Sequence, residues 1–241
     1  IVMFRLLVGG EMGRKKEKTP AQKARAELMA AHSLKAGAKA NLWITKCLYT
    51  GQDIVLLGDD RYEHFYACEG DPHVARAWYE RVGQASPSSG VTKSATFDAR
   101  VELVSGEIQF RAIGSKAPTK NDGRYKEYVN AAAQMGGEYL PVTLRDLDAL
   151  SQRVLNWRRA LRFWRAGWSH QLSEIESIIL VRLHQRSSWT IGEFIHAYSV
   201  HEPPLIIAAI VRLIHKRVLS SDMDSELFCG RTKVWLRGAG P

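Results

Sequence analysis

Glu63 and Asp98 are the residues of this chain whose type and setting suit the hydrolysis of a phosphodiester. Glu63 lies in Tyr62-Glu63-His64-Phe65-Tyr66, at the start of an amphipathic helix, and Asp98 falls within residues 95–104, whose alternation reads as a strand. Ser105-Gly106 is a turn signal, and residues 107–113 return as a second strand. In-line attack by water on a phosphodiester needs hard oxygen ligands that hold Mg2+ or Mn2+ against the phosphate, with a cation beside them. A helical glutamate and a strand-opening aspartate are ligands of that kind. Each also has a plainer reading, a solvated helix carboxylate for Glu63 and a turn or cap for Asp98.

Nucleases of the PD-(D/E)xK type combine such a glutamate and aspartate with a Glu-x-Lys on the return strand, about fourteen to sixteen residues after the aspartate in a hairpin of this length. At that place the chain has Ala112-Ile113-Gly114. Two hairpin registers are open. Apolar alternation (Ala99, Val101 and Leu103 against Ile108, Phe110 and Ala112) favours a two-residue turn, which sets Asp98 on one face with Arg100, Glu102, Gln109 and Arg111. Gln109-x-Arg111 is then a candidate substitute for the third motif. A bulge instead turns Ala112 and Gly114 toward Asp98, with Lys116 just beyond as the candidate catalytic cation. Neither register sets a second carboxylate beside a lysine.

The 241 residues suffice for one large or two small domains, and 45% hydrophobic with 24% charged residues is a globular composition. Thirty-four Lys and Arg against 25 Asp and Glu give a formal charge of +9, which favours a polyanionic partner such as double-stranded DNA. No apolar stretch reaches membrane-spanning length and residues 1–8 lack the shape of a signal peptide, so the expected location is the bacterial cytoplasm, near the nucleoid. Cys47, Cys68 and Cys229 have no metal-ligand spacing and read as reduced thiols. Gly9-Gly10-Glu11 before Met12 suggests that translation starts at Met12. Residues 12–39 are a basic arm with Arg14, Lys15, Lys16 and Lys18 as candidate DNA contacts, and 21–34 read as a helix.

Further along, residues 41–57 read as short strands around Thr50-Gly51, residues 73–79 as extended, and residues 85–90 as a flexible loop. A helix over 123–135, a strand over 139–143 and a helix from 144 follow, which together make a mixed sheet flanked by helices. The chain divides on this reading into an arm (1–40), an α/β domain (41–150), a linker helix (151–170) and an α-rich domain (171–241). The linker helix carries Trp157, Arg158, Arg159, Arg162, Trp164 and Arg165, which suits a packing seam with snorkelling arginines, a nucleic-acid platform being the alternative. Residues 173–185 read as a helix capped by Ser173, followed by a helix from 189, a third over 205–216 and strands at 218–220 and 232–236. This is a winged helix-turn-helix plan, whose third helix can enter a major groove. His201, Arg212, His215, Lys216, Arg217, Arg231 and Lys233 are the residues that would meet DNA there.

In both halves the chain resembles the TnsA-type endonuclease subunit of heteromeric bacterial transposases. The resemblance runs through Arg61-Tyr62-Glu63, Glu69-Gly70-Asp71-Pro72-His73-Val74, Thr96-Phe97-Asp98-Ala99-Arg100-Val101, Ser105-Gly106, residues 131–143, the helix containing Asn156 and the tail, roughly residues 41–237. It implies a restriction-endonuclease-like α/β domain followed by a winged helix, in a subunit that cuts the non-transferred strands at transposon ends. It also implies a DDE-type transposase partner, an AAA+ regulator, Glu63 and Asp98 as metal ligands, and a Glu-x-Lys position that falls on Ala112 and Gly114. A stand-alone winged-helix DNA-binding regulator with an inactive nuclease domain is the alternative.

Overall fold

The structure, a computed structural model, describes residues 41–49, 51, 53–79, 82–83 and 95–240. The basic arm, the expected start at Met12 and the 85–90 loop named above lie outside these residues. β1 (Leu42–Lys46) and β2 (Asp53–Leu57) pair antiparallel, Leu42 opposite Leu57. α1 (Asp59–Glu69) follows and buries the run from His64 to Glu69. β3 (Val74–Trp78) is succeeded by a short antiparallel pair, β4 (Val82–Gly83) and β5 (Thr96–Phe97). The chain kinks at Asp98 and enters β6 (Ala99–Leu103) and β7 (Ile108–Ile113). α2 (Tyr125–Gln134) is the crossover that the next, parallel strand β8 (Glu138–Val142) requires. The result is a mixed four-stranded sheet in the order β3-β6-β7-β8, flanked by helices.

The β6–β7 register decides what faces Asp98. Ala99 stands opposite Arg111 and Val101 opposite Gln109, so three residues connect the strands and Gly106 takes φ 88°, a left-handed conformation open to glycine at little cost. This is the bulged register. The two-residue turn read from apolar alternation is not formed, because the two strands bury their apolar residues on opposite faces. Ala99 and Val101 pack with Cys68 and Val74 on the α1 side, whereas Phe110 and Ala112 pack with Ala132 and Tyr139 on the α2 side. Gln109 and Arg111 therefore share a face with Ala99 and Val101, away from Arg100 and Glu102.

After β8 come α3 (Leu144–Ala149), capped by a reciprocal Thr143–Asp146 box, and α4 (Ser151–Ala166). Next are α5 (Ser173–Gln185), β9 (Ser188–Thr190), α6 (Ile191–Ala197), α7 (Pro203–His215), β10 (Leu219–Ser221) and β11 (Lys233–Leu236). β9 adds to the terminal hairpin, giving a second antiparallel sheet, β10-β11-β9. Ser173 is not the cap of α5. Leu172, 1% exposed, holds that place and Ser173 is the first helical residue, its carbonyl accepting from the Ser177 hydroxyl at 2.9 Å. The capping box belongs one helix later, where Thr190 and Glu193 satisfy each other's backbone N–H groups before α6.

α4 packs against both α1 and α7. Trp157, Ala160, Leu161 and Trp164 bury one stripe of it in a single core that runs from Leu56, Phe65 and Tyr66 to Ile210, Val211 and Val234. The buried Asn156 closes this assembly by donating to the carbonyls of Met223 and Glu226, each at 2.6 Å, and accepting from Phe228 N–H at 2.8 Å. No helix among the described residues is long and apolar enough to cross a membrane.

Candidate functional site

Asp98 occupies the kink between β5 and β6, and its carboxylate accepts three hydrogen bonds. Oδ1 accepts from Arg61 Nε at 3.1 Å and from the Arg61 terminal nitrogen, and Oδ2 accepts from the Ile113 N–H at 2.8 Å. Arg61 also donates to Leu57 O at 2.8 Å, which ties β2, α1 and the β5–β6 kink together through one guanidinium. The pair is only 20% and 15% exposed, on the arginine and aspartate sides respectively. Glu63 is two residues further along α1 and therefore about 200° around the helix from Arg61. The groups acting on its charge are Asp60, Asp59, Asp148 and Arg158. Partial burial first, and then the neighbouring carboxylates, raise its pKa above the usual glutamate value. Asp98 is thus held by Arg61, while Glu63 sits among the carboxylates of Asp59, Asp60 and Asp148.

The third-motif positions are closed as well as empty of chemistry. Ala112 faces the apolar cluster of Phe97, Phe110 and Ala132. Gly114 has φ 100° and its N–H is fixed to Val142 O at 2.9 Å; a Cβ there would stand 2.3 Å from Asp60 Oδ2. A side chain at 114 would be strained by the backbone conformation and would require the Asp60 carboxylate to move aside. Lys116 is exposed in the turn that follows and makes no ion pair among the described residues. Positions 112 and 114 supply no side-chain oxygen, and among the described residues no group of three His, Cys, Asp or Glu is placed to hold a metal ion.

Gln109 and Arg111, the candidate substitutes, belong to a different cluster beneath α1. Arg111 donates to Gln109 Oε1 at 2.6 and 3.1 Å, to His64 Nε2 at 3.2 Å and to Cys68 Sγ at 3.5 Å. A guanidinium only donates, so His64 Nε2 accepts and Nδ1 carries the hydrogen given to Tyr79 Oη at 2.9 Å. The Tyr79 hydroxyl in turn meets Cys68. Burial, and secondly Arg111, hold the His64 pKa well below the usual histidine value, so the ring is neutral. Burial pushes the Cys68 thiol up to about 11. The cluster borders a cavity of about 270 Å3 lined also by Leu140, Pro141 and Val142. At neutral pH it presents neither a thiolate nor a charged imidazole, and its donors and acceptors satisfy one another.

The other candidate DNA contacts divide sharply. α7 buries seven of its thirteen residues, including Ile206, Ala208, Ala209, Ile210, Val211 and Leu213, and the basic residues at its C-terminal end are engaged within the protein. Arg212 binds Glu176 at 2.5 Å and Lys216 approaches the same oxygen at 3.5 Å. His215 is buried against Glu69 at 2.7 Å, and Arg217 donates to the carbonyls of Pro72 and Val74. Arg158 stacks over Tyr62, 5.3 Å from the ring centroid. Arg159, Arg162, Arg231 and Lys233 are exposed, whereas Arg14, Lys15, Lys16 and Lys18 lie outside the described residues. A basic feature not read from the sequence is the cross-strand stack of Arg76 and Arg100 on Trp78, at 5.4 and 4.7 Å. Alternation along β3 and β6 would have flagged it only with the strand pairing known. Arg61 lies two residues before Glu63 in Arg61-Tyr62-Glu63. No protein-family model and no curated protein matches this chain.

Proposed function

We propose that this protein is a TnsA-like subunit of a heteromeric DNA transposition complex, with a restriction-endonuclease-like domain and a winged-helix region, which holds transposon-end DNA and a DDE-type transposase without itself cutting efficiently. The observation that carries the reading is the Asp98 position. It stands in the kink before a hairpin, as a nuclease aspartate does, yet it is clamped by Arg61 and the Ile113 N–H, and positions 112 and 114 carry neither a ligand nor a lysine. Loss of the ligand and the lysine together costs several kcal/mol of transition-state stabilisation, on the order of thousands-fold in rate. The order α5-β9-α6-α7-β10-β11 supports the winged-helix part. The burial of α7 weighs against a stand-alone regulator reading DNA through its third helix. Arg76 and Arg100 beside Trp78, with exposed Arg231 and Lys233, support phosphate contact elsewhere on the surface.

The test measures binding and nicking on one duplex carrying transposon-end sequence, with Mg2+ or Mn2+, alone and with a DDE-type transposase. The expected result is salt-steep binding, co-purification with the transposase and no nicking by this chain. Nicking that disappears in Asp98→Ala overturns the non-cleaving assignment. Failure to bind duplex at low salt, with no transposase co-purifying, removes the transposition role altogether.

A further inference from the structure

A cavity of about 340 Å3 opens between α4, α6, α7 and the segment before β11, far removed in character from the Asp98 clamp. Its floor is apolar, formed by Phe163, Ile191, Ile195 and Phe228, and Arg159 and Arg162 stand at its rim. Both arginines are exposed, and neither forms an ion pair among the described residues. Leu155, one helical turn before Arg159, is 39% exposed, and Leu227, next to Phe228, is 47% exposed, so apolar surface continues beyond the cavity mouth. The volume is that of a ligand-sized cleft.

Two unpaired guanidiniums over a greasy floor define the occupant by its chemistry. A phosphate backbone would satisfy the arginines but has nothing to bury against Phe163 and Ile195. The chain's own residues 12–39 carry eight Lys and Arg against Glu17 and Glu27, so the rim repels them. An amphipathic segment with carboxylates beside a bulky apolar residue satisfies both halves of the site. We propose that this groove docks an acidic, apolar-anchored peptide segment of a partner protein, a leucine- or phenylalanine-sized side chain entering over Phe163, Ile195 and Phe228 while flanking carboxylates pair with Arg159 and Arg162. The inference goes beyond the nuclease-derived reading and does not depend on it.

The groove contains its own reporter. Cys229 lines it and is half-buried, whereas Cys47 and Cys68 are buried. The Arg231 backbone N–H, 3.4 Å from Sγ, lowers the Cys229 pKa below the usual thiol value, which favours alkylation there. Gly230 offers a way to fill the groove without touching its charges, because a Cβ at that position meets only Gly192 Cα, at 3.9 Å.

The experiment selects a displayed library of random dodecapeptides on the full chain and then measures the enriched peptides as synthetic probes. Enriched sequences should carry a bulky apolar residue flanked by Asp or Glu. Their affinity should fall about tenfold or more in Arg159→Glu/Arg162→Glu, where exposed positions leave folding intact, and should be lost in Gly230→Leu, with melting temperature as the folding control. Bound peptide should also slow alkylation of Cys229 by N-ethylmaleimide several-fold. Failure to enrich, enrichment of basic or uncharged peptides, or binding indifferent to both variants overturns the proposal. It is equally overturned if duplex DNA protects Cys229 and loses affinity in the double arginine variant, or if a dimer of this chain seen by sedimentation dissociates in either variant.

Discussion

The seam beneath α1 and the groove beside α4 treat charge in opposite ways. Beneath α1, Arg61 is matched by Asp98, and Arg111 by Gln109, His64 and Cys68, so each buried polar group has its partner inside the protein. Beside α4, Arg159 and Arg162 stand over apolar side chains with no carboxylate partner among the described residues. A group that is to bind a ligand must keep hydrogen-bonding capacity for it, whereas a group that holds a fold together uses that capacity internally. By this criterion Arg61 and Arg111 spend their capacity inside the fold, and open capacity lies on the helical side.

The largest effect expected from breaking this comparison comes from the core that joins the two regions. Phe194 is 0% exposed in the cluster that also contains Phe65 and Leu56, and Phe194→Ala should cost about 3–5 kcal/mol. Urea unfolding followed by circular dichroism and by tryptophan fluorescence should show one transition moved to lower denaturant in both signals. Trp43, stacked on Tyr62 at 4.1 Å, reports on the N-terminal side. Two separated transitions, with only one displaced, would show that the regions fold independently and that their contrast is one between domains.

Asp98→Asn sharpens the contrast from the other side. In a clamp, removing the charge weakens two bonds to Arg61 and should destabilise the protein by about 1–3 kcal/mol. In a site that crowds carboxylates for a metal, the same substitution relieves repulsion and raises stability. A higher melting temperature for Asp98→Asn in metal-free buffer would return Asp98 to the catalytic reading.

The order of elements was legible because its signals are local. Gly70-Asp71-Pro72 stops α1, Gly136-Gly137 separates α2 from β8, and the apolar period of 203–215 is helical without ambiguity. The hairpin register was not legible from apolar alternation. That argument assumes one buried face, and here β6 serves the α1 side while β7 serves the α2 side. Nor was the fate of the charged residues. Arg61 and Asp98 are 37 positions apart, and Glu69 and His215 are 146 apart, so their pairing depends on the fold already being in place. The tryptophans of α4 gave a sound indication of a packing seam, since Trp157 and Trp164 are buried, but their spacing cannot show that the seam unites what reads as two domains.

The smallest of these effects is the one most specific to the polar seam. His64 is held neutral by burial first and by Arg111 second, so the unfolded chain takes up a proton that the native state refuses. Stability from this source is complete above the usual histidine range. It falls as the pH drops through that range toward the depressed native value, by up to about 1.4 kcal/mol per pH unit. His64→Phe keeps a ring in the site and removes the titration. The variant is less stable at neutral pH, because Arg111 and Tyr79 each lose a partner, but its urea midpoint should vary less between pH 7 and pH 5 than that of the parent. Other histidines, His215 among them, remain in both proteins and cancel in the difference. Parallel pH profiles for the two proteins would mean that His64 accepts its proton in the native state, which requires the seam to open toward solvent and would erase the distinction between a closed polar layer and an open groove.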